Sequence, residues 1–408
     1  MFRFFVILGL LLLSRLSQAA EVPKTLILTW EGDPCTTMTA EWLRGPGLGD
    51  RPENGKGELV KWKEVQALDW KTLTTSSSDF PDPEKMGMAR WKLVRARWDQ
   101  LKPGTEYLFQ IGDAPVQKFR TAPDHLSQPV VFVEGGDVDV LESSSNMMRL
   151  GAQQDPIFMS VGGDLAYGDG HDVKREIQFW EQWSAAAHAP DGRVVPFVAG
   201  IGNHEVKGGY WQEGATFEQM RERAPFFYSL FGGLYRKAEP VALDFGNYLS
   251  MLLMDSGHIL PIPSQSGWLK RSLEKRRSVP WVFASWHVPA FPSFRTWKHQ
   301  KEIVEVREQW VPILEGSTVT AVFNHHDHNL QRVESEGKGG RKISFLGNGA
   351  LGVVPRPQQC PESQKLSKAF AQSDYVNVVQ LREDGATVRS LGPKGEELDR
   401  VEFLKNTD

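Results

Sequence analysis

Residues 155–170 read DPIFMSVGGDLAYGDG: an apolar run, Ile157 to Val161, breaks at Gly162-Gly163 and is followed at once by Asp164 and Tyr167. The same form recurs in PVVFVEGGD (129–137), VVPFVAGIGNHE (194–205), YLSMLLMDSG (248–257), VPWVFASWH (279–287) and VTAVFNHHDH (319–328). Short apolar runs bounded by turn residues read as buried strands, and the longer amphipathic stretches between them, Lys174 to Ala187 and Ile303 to Leu314 among them, read as helices. Strands alternating with helices give an α/β class with layered sheets. Almost every run ends in Asp, Asn or His, so this reading sets polar, metal-binding side chains along one rim of the sheets.

In chain order the rim holds Asp137, Asp164, Tyr167, Asn203, His204, His287, His326 and His328. Mixed nitrogen and oxygen donors suit Zn, Mn, Fe or similar ions rather than metals that prefer thiolates. A carboxylate such as Asp164 can bridge two ions, and paired ions serve phosphate-ester hydrolysis by gripping ester oxygens and lowering the pKa of water. Singly, each residue has an ordinary reading: Gly-Asp pairs are common turns, and a buried His usually satisfies a core hydrogen bond. It is their shared position at strand ends, in one order, that points to a metal centre.

N-terminal to this pattern the texture differs. From Thr25 to Pro123 short strands follow one another: TLILTW, Met38 to Leu43, Lys92 to Trp98 and Tyr107 to Gly112. In YLFQIG, Tyr107, Phe109 and Ile111 share one face, as a half-buried strand requires, and the region reads as a β-sandwich. The glycine-rich segment Gly45 to Gly57 leads from no strand into a helix, so it reads as a surface loop rather than a phosphate cradle. The serine runs Ser76–Ser78 and Ser143–Ser145 read as loop, and the stretch after Asp374 as a hairpin around Asp384-Gly385.

The chain opens with Arg3, an apolar run from Phe4 to Leu13, and small residues Ser17 and Ala19, the form of a cleaved export leader. The run is shorter than the ~20 apolar residues a membrane span needs. The expected divisions are therefore a leader over 1–19, a β domain over 23–123 and a metal-binding domain over 129–405, with the mature protein secreted or periplasmic. Losing Arg3 and Arg15 would take the formal net charge from -4 to -6, which leaves no basic footprint for nucleic acid. Cys35 and Cys360 are the only cysteines, far apart in sequence, and read as unpaired thiols.

Two resemblances add to this. LKPGTEYLFQIGD with KFRTAP (101–113 and 118–123) resembles the end of a fibronectin type III domain. The motifs GD, GDxxY, GNHE, a strand-end His and HxH, in that order, look like the purple acid phosphatase branch of the calcineurin-like metallophosphoesterases, over most of Val130 to Phe403. That resemblance implies a layered α/β/β/α domain. It implies that Asp137, Tyr167 and His328 hold a first ion, typically Fe(III), and that Asn203, His287 and His326 hold a second, Zn, Fe or Mn. Asp164 would bridge the two, and His204 would act as general acid toward the leaving group.

Two positions depart from the family pattern: Asp139 and His325 stand where glycine is usual, beside ligands. After His287 the chain offers Arg295 and His299 as candidate substrate-binding residues; the planar fork of Arg295 suits phosphate, and a solvated loop arginine is the alternative. Tyr210, Trp211 and Phe226 to Tyr228 would either wall the cleft or pack the core. The function implied is hydrolysis of small phosphomonoesters by metal-activated water. A phosphodiesterase or nucleotidase on the same fold, or a secreted binding protein without catalysis, are the alternatives. No GxSxG elbow or HExxH helix is present.

Overall fold

The computed structural model of the chain describes residues 21–48, 57–80, 87 and 89–405. The expected leader and most of the Gly45–Gly57 loop lie outside these residues.

The first eight strands are β1 (Ile27–Thr29), β2 (Met38–Arg44), β3 (Leu59–Glu64), β4 (Lys71–Thr74), β5 (Ser76–Ser78), β6 (Lys92–Trp98), β7 (Glu106–Ile111) and β8 (Gln117–Arg120). They form two four-stranded sheets, ordered β1-β2-β6-β5 and β4-β3-β7-β8. Trp98 from the first sheet meets Phe109 and Phe119 of the second edge-on or tilted, with ring centroids 5.5 and 5.3 Å apart. Residues 76–78, expected as loop, instead pair along β6. All three serines are exposed, so no apolar alternation marks the strand; Arg97 and Arg95 donate to the hydroxyls of Ser76 and Ser78.

The remaining elements build two larger sheets. One contains β9 (Val130–Gly135), β10 (Met159–Val161), β11 (Phe197–Ala199), β19 (Val376–Leu381), β20 (Gly385–Leu391) and β21 (Glu397–Leu404), in the order β11-β10-β9-β19-β20-β21. The other contains β12 (Val241–Phe245), β13 (Leu249–Leu253), β14 (Trp281–Ser285), β15 (Ala321–Asn324), β16 (Leu330–Glu336), β17 (Lys342–Gly347) and β18 (Ser367–Ala371), in the order β12-β13-β14-β15-β17-β16-β18. Phe132 of the first sheet packs edge-on against Phe283 and Phe323 of the second. Helices α1 (Glu142–Ala152) and α2 (Val173–Ala186) belong with the first sheet, and α5 (Ile262–Lys275), α6 (Lys301–Gln309) and α7 (Val311–Glu315) pack together beside the second. Short helices α3 (Phe217–Arg221), α4 (Pro225–Phe231) and α8 (Pro361–Leu366) complete the chain. This is the expected α/β/β/α layering behind an all-β unit.

Two expectations about helices change. Ser143–Ser145 lie in the first turn of α1 rather than in a loop, where the Ser143 hydroxyl donates to the Gly352 carbonyl at 2.7 Å. The stretch expected as one helix from Ile303 to Leu314 is split at Trp310: Pro312 has no N–H to donate and its ring crowds the carbonyl four residues earlier. Cys35 and Cys360 are both free and buried.

The all-β unit is fastened to the layered domain. Trp30 meets Phe158 and Phe245 edge-on at 6.0 and 5.7 Å, and Glu31 accepts from Arg97 at 2.9 and 2.8 Å and from Arg236, across the junction, at 3.3 Å. Burial raises the Glu31 pKa, but Arg97, Arg95 and Arg236 outweigh it and hold the carboxyl below its ordinary 4.5. A depressed acid contributes stability above its unfolded pKa and loses it as pH falls through the folded value. Glu31→Gln is therefore expected to cost about 1–2 kcal/mol at pH 7. Denaturant melts of both proteins should show that gap shrinking once the pH drops below 4.5; a gap independent of pH would refute the assignment.

Candidate metal centre

Strands β9, β10 and β11 are mutually parallel, as are β13, β14 and β15, so their C-terminal ends point the same way. In open parallel sheets that edge is where ligands bind. The loops leaving it carry Asp137, then Asp164 and Tyr167, then Asn203 and His204 from the first sheet, and His287, His326 and His328 from the second. Backbone bonds lace these loops together: Asp137 donates to the Gly163 carbonyl at 3.1 Å, His325 to the His287 carbonyl at 2.9 Å, and the His326 N–H to Asp137 Oδ2 at 2.8 Å. Asp137, Asp164, Tyr167, His326 and His328 all have positive φ, between 54° and 78°. Such conformations strain non-glycine residues, and they collect at functional sites where the surroundings over-determine them.

The donors fall into two groups. In the first, Tyr167 Oη lies 3.2 Å from Asp137 Oδ1 and 3.0 Å from His328 Nε2, and His328 Nε2 lies 3.2 Å from Asp137 Oδ1. In the second, His287 Nε2 lies 3.2 Å from Asn203 Oδ1, 3.1 Å from His326 Nδ1 and 3.1 Å from Asp164 Oδ2. The second group tests directly whether a cation fits. His287 Nδ1 sits 3.0 Å from the Gly162 carbonyl, an acceptor only, so Nδ1 carries a proton, and in the neutral ring Nε2 presents a lone pair where a proton or a metal cation can sit. That lone pair faces a carboxylate oxygen, an amide oxygen and a second ring nitrogen. Acceptors converging on one another in a buried space need a positive charge among them, and the ligand atoms of Asp164, His287 and His326 all lie within 4.8 Å of one another.

The electrostatics say the same. Burial lowers the His287 pKa, yet Asp164 and Asp137 raise it to about 9, so the pocket draws positive charge to this spot. Burial raises Asp164 and Asp137, and the neighbouring imidazoles, His287 foremost, pull both below the carboxylate range. The Tyr167 phenol is held well above 10 by burial and by the charges of Asp137 and Asp164; a cation against its oxygen would reverse that balance.

His204 is the partly open member of the group, its side chain 31% exposed. Its ring lies against Tyr167, centroids 4.2 Å apart; Nδ1 contacts Asp169 Oδ1 at 2.5 Å and Nε2 lies 3.9 Å from Asp164 Oδ2. Asp169 thereby fixes which ring nitrogen faces the site. Its signal was in plain view in GGDLAYGDG, but only the fold shows which residue it serves.

Glu205, which ends the GNHE motif, organises the rim in a way that its local sequence does not show. Its buried carboxylate accepts the backbone N–H groups of Gly202 at 2.7 Å, Asp164 at 2.8 Å and Leu165 at 2.7 Å. It thus pins the Asp164 and Asn203 loops to each other. Burial and the Asp164 charge push its pKa up to about 7 against those three donors. Gly349 matters for a related reason: at φ +69°, a Cβ there would stand 1.7 Å from Asp137 Oδ2.

The two departures turn away from the donors. His325 is buried beneath the rim, its Nε2 3.0 Å from Glu134 Oε1, over Gly136 and Gly162, where a Cβ would collide with its ring. Asp139 forms an ion pair with Arg175 of α2. Arg295 reaches the carbonyl of His326 at 2.9 Å and pairs with the buried Asp327, and His299 is exposed on the following turn. Tyr210 lies near the centre, its ring 5.1 Å from that of His258, which is itself 5.6 Å from His287. Phe226 and Phe227 are buried in the core. Cavities of about 550 and 730 Å³ lie elsewhere, between Val22–Leu26 and α2 and between α5 and α7, and hold none of these donors.

Residues 136–330 match the calcineurin-like phosphoesterase family. The chain is 26% identical over 241 residues to "Probable purple acid phosphatase 20" of Arabidopsis thaliana, covering 57% of this chain and 53% of that protein. It is 25% identical over 263 residues to Purple acid phosphatase 15 of the same plant, covering 57% and 48%. The matches thus span about half the length of these curated relatives. Among solved structures, the purple acid phosphatase PPD1 from yellow lupin (Lupinus luteus) seeds aligns with a TM-score of 0.76 at 15% identity, over 95% of this chain and 75% of that one. PhoD aligns with a TM-score of 0.66 at 13% identity, over 95% and 91%. At such identities the structural likeness speaks for the fold.

Proposed function

From a chain that carries a calcineurin-like metallophosphoesterase domain and is homologous to purple acid phosphatases, we propose that it is a dinuclear metal-dependent hydrolase of phosphomonoesters. The observation that carries this is the pair of converging donor groups, Asp137, Tyr167 and His328 beside Asn203, His287 and His326, with Asp164 at the second group and its charge acting on Tyr167 of the first. Asp164 would be the residue shared by the two sites. Two ions held there supply Lewis acidity to the ester oxygens and lower the pKa of a water molecule. The phenol of Tyr167 favours a trivalent ion, Fe(III), in the first site, and the two imidazoles with an amide favour Zn, Fe or Mn in the second.

The chain's own groups do the rest. His204, oriented through Nδ1 by Asp169, presents Nε2 to the site and protonates the departing oxygen. Glu205 and the backbone lattice hold the donor loops in place, so little rearrangement accompanies binding. The sequence of residues 1–19 supports export of the protein, and no helix among the described residues is long and apolar enough to cross a membrane.

Metal analysis of the purified protein with its visible spectrum, together with assays on an aryl phosphate monoester and the matching diester, tests the reading. About two ions per chain, a purple phenolate band and preference for the monoester are expected. Preference for the diester would make it a phosphodiesterase; protein that retains no metal under any loading condition and hydrolyses neither ester would overturn the enzyme reading.

A further inference from the structure

Two guanidinium groups reach the carbonyl of His326, at the edge of the donor groups: Arg295 Nη1 at 2.9 Å and Arg356 Nη1 at 3.4 Å. They differ in what else they do. Arg295 is paired with the buried carboxylate of Asp327, whose other oxygen accepts the N–H groups of Ser293 and Phe294 at 2.7 and 2.8 Å. Its charge is satisfied inside the protein. Arg356 has no carboxylate within ion-pair distance among the described residues, and its single, long bond to a carbonyl leaves most of a five-donor fork uncommitted.

Arg356 is nonetheless held in place. Its backbone N–H donates to the His328 carbonyl at 2.7 Å, its own carbonyl accepts from Asn329 at 3.2 Å, and its guanidinium lies 5.3 Å from the ring centroid of Phe294. The loop that carries it packs through Ala350 and Val353 against Tyr167, and its positive charge opposes the rise in the Tyr167 pKa that burial imposes. The side chain is only partly exposed. A half-covered, positioned and unpaired arginine beside a site built for phosphate oxygens matches a second anion in geometry and charge.

The geometry points to Arg356 as a specificity residue that binds a second phosphate of the substrate, so that the preferred substrates are polyanionic, of the pyrophosphate or nucleoside di- and triphosphate class, in which the bond to be hydrolysed is a phosphoanhydride. This rests on the phosphoesterase reading above. It shifts the substrate-recognising role from Arg295, the candidate named by the sequence, to a residue 61 positions later.

The test compares the full-length metal-loaded protein with Arg356→Gln and Arg356→Lys. Two quantities are measured: the ratio of kcat/KM for pyrophosphate to that for 4-nitrophenyl phosphate, and the ratio of their calorimetric Kd values for pyrophosphate and inorganic phosphate. In Arg356→Gln both ratios should move against pyrophosphate by about tenfold or more, the worth of a lost charge-assisted pair, mainly through KM. Arg356→Lys should recover part of this, since it restores a point charge without the fork. Equal losses on both substrates, or no change in either ratio, would overturn the proposal. A wild-type protein that hydrolyses neither compound would sink the phosphatase reading instead, and the pyrophosphate-to-phosphate binding ratio would still decide the role of Arg356.

Discussion

Asp164→Asn is expected to abolish paired metal binding and to lower kcat/KM by on the order of 10³, about 4 kcal/mol of transition-state stabilisation. Asparagine is the substitution to make, because Asp164 has φ 55° and asparagine tolerates that region where most residues do not. The backbone bonds of Asp164 to Glu205 and Val138 do not involve its side chain, so the fold should survive. What is lost is the charge that faces His287 Nε2 at 3.1 Å and accepts the His204 N–H at 2.8 Å. Metal content, steady-state kinetics and thermal unfolding of the metal-free proteins measure the three parts separately. Hydrolysis at the wild-type rate in the variant would exclude Asp164 from the centre.

Glu205→Ala should do as much damage by a different route. Removing the carboxylate strands the N–H groups of Gly202, Asp164 and Leu165, all buried, without an acceptor. Each stranded donor costs about 1–3 kcal/mol, and the loops can relax to meet only part of that. A loss of about 4 kcal/mol in folding stability is expected, with metal affinity down by roughly 10–100-fold because the loops of Asp164 and Asn203 lose their common anchor. Glu205→Gln, which keeps an accepting oxygen, should retain part of both. Denaturant unfolding without metal and a competitive chelator titration read the two effects. Unchanged unfolding in the alanine variant would show that the three N–H groups find other partners and that Glu205 does not organise the rim.

The legible part of the site was the part written in strand ends. An apolar run fixes a buried strand, parallel strands align their C-terminal ends, and the residue after each run must lie on that edge; Asp137, Asp164, Asn203 and His287 follow from this argument. The illegible part consists of residues that act on the backbone or side chains of distant segments. Glu205 reaches forty-one residues back to Asp164, Asp169 meets His204 thirty-five residues on, and Asp327 closes on Arg295 thirty-two residues earlier. Local pattern carries no information about such pairings.

The departures from the family pattern illustrate the same limit. Read in sequence, His325 stands beside a ligand where the family pattern has glycine. In the fold it turns below the rim to Glu134, itself linked to Ser285 at 3.3 Å and Asn377 at 3.5 Å. It fits because Gly136 and Gly162 leave room for its ring. The serine run at 76–78 gave no strand signal because a fully exposed edge strand has no face to bury, and only its partner β6 shows it.

The sequence by itself determined the layered α/β class, the all-β unit ahead of it, and the identity of the rim residues, because hydrophobic periodicity and the chemistry of Asp, Asn, Tyr and His side chains are local properties. The tertiary structure decided how those residues divide into two converging groups, that His287 turns Nε2 inward, that Arg295 is spent on Asp327, and that Arg356 has no carboxylate partner among the described residues. Those outcomes depend on which backbone carbonyl or carboxylate lies opposite each side chain, and that is set only when loops from two different sheets are packed edge to edge.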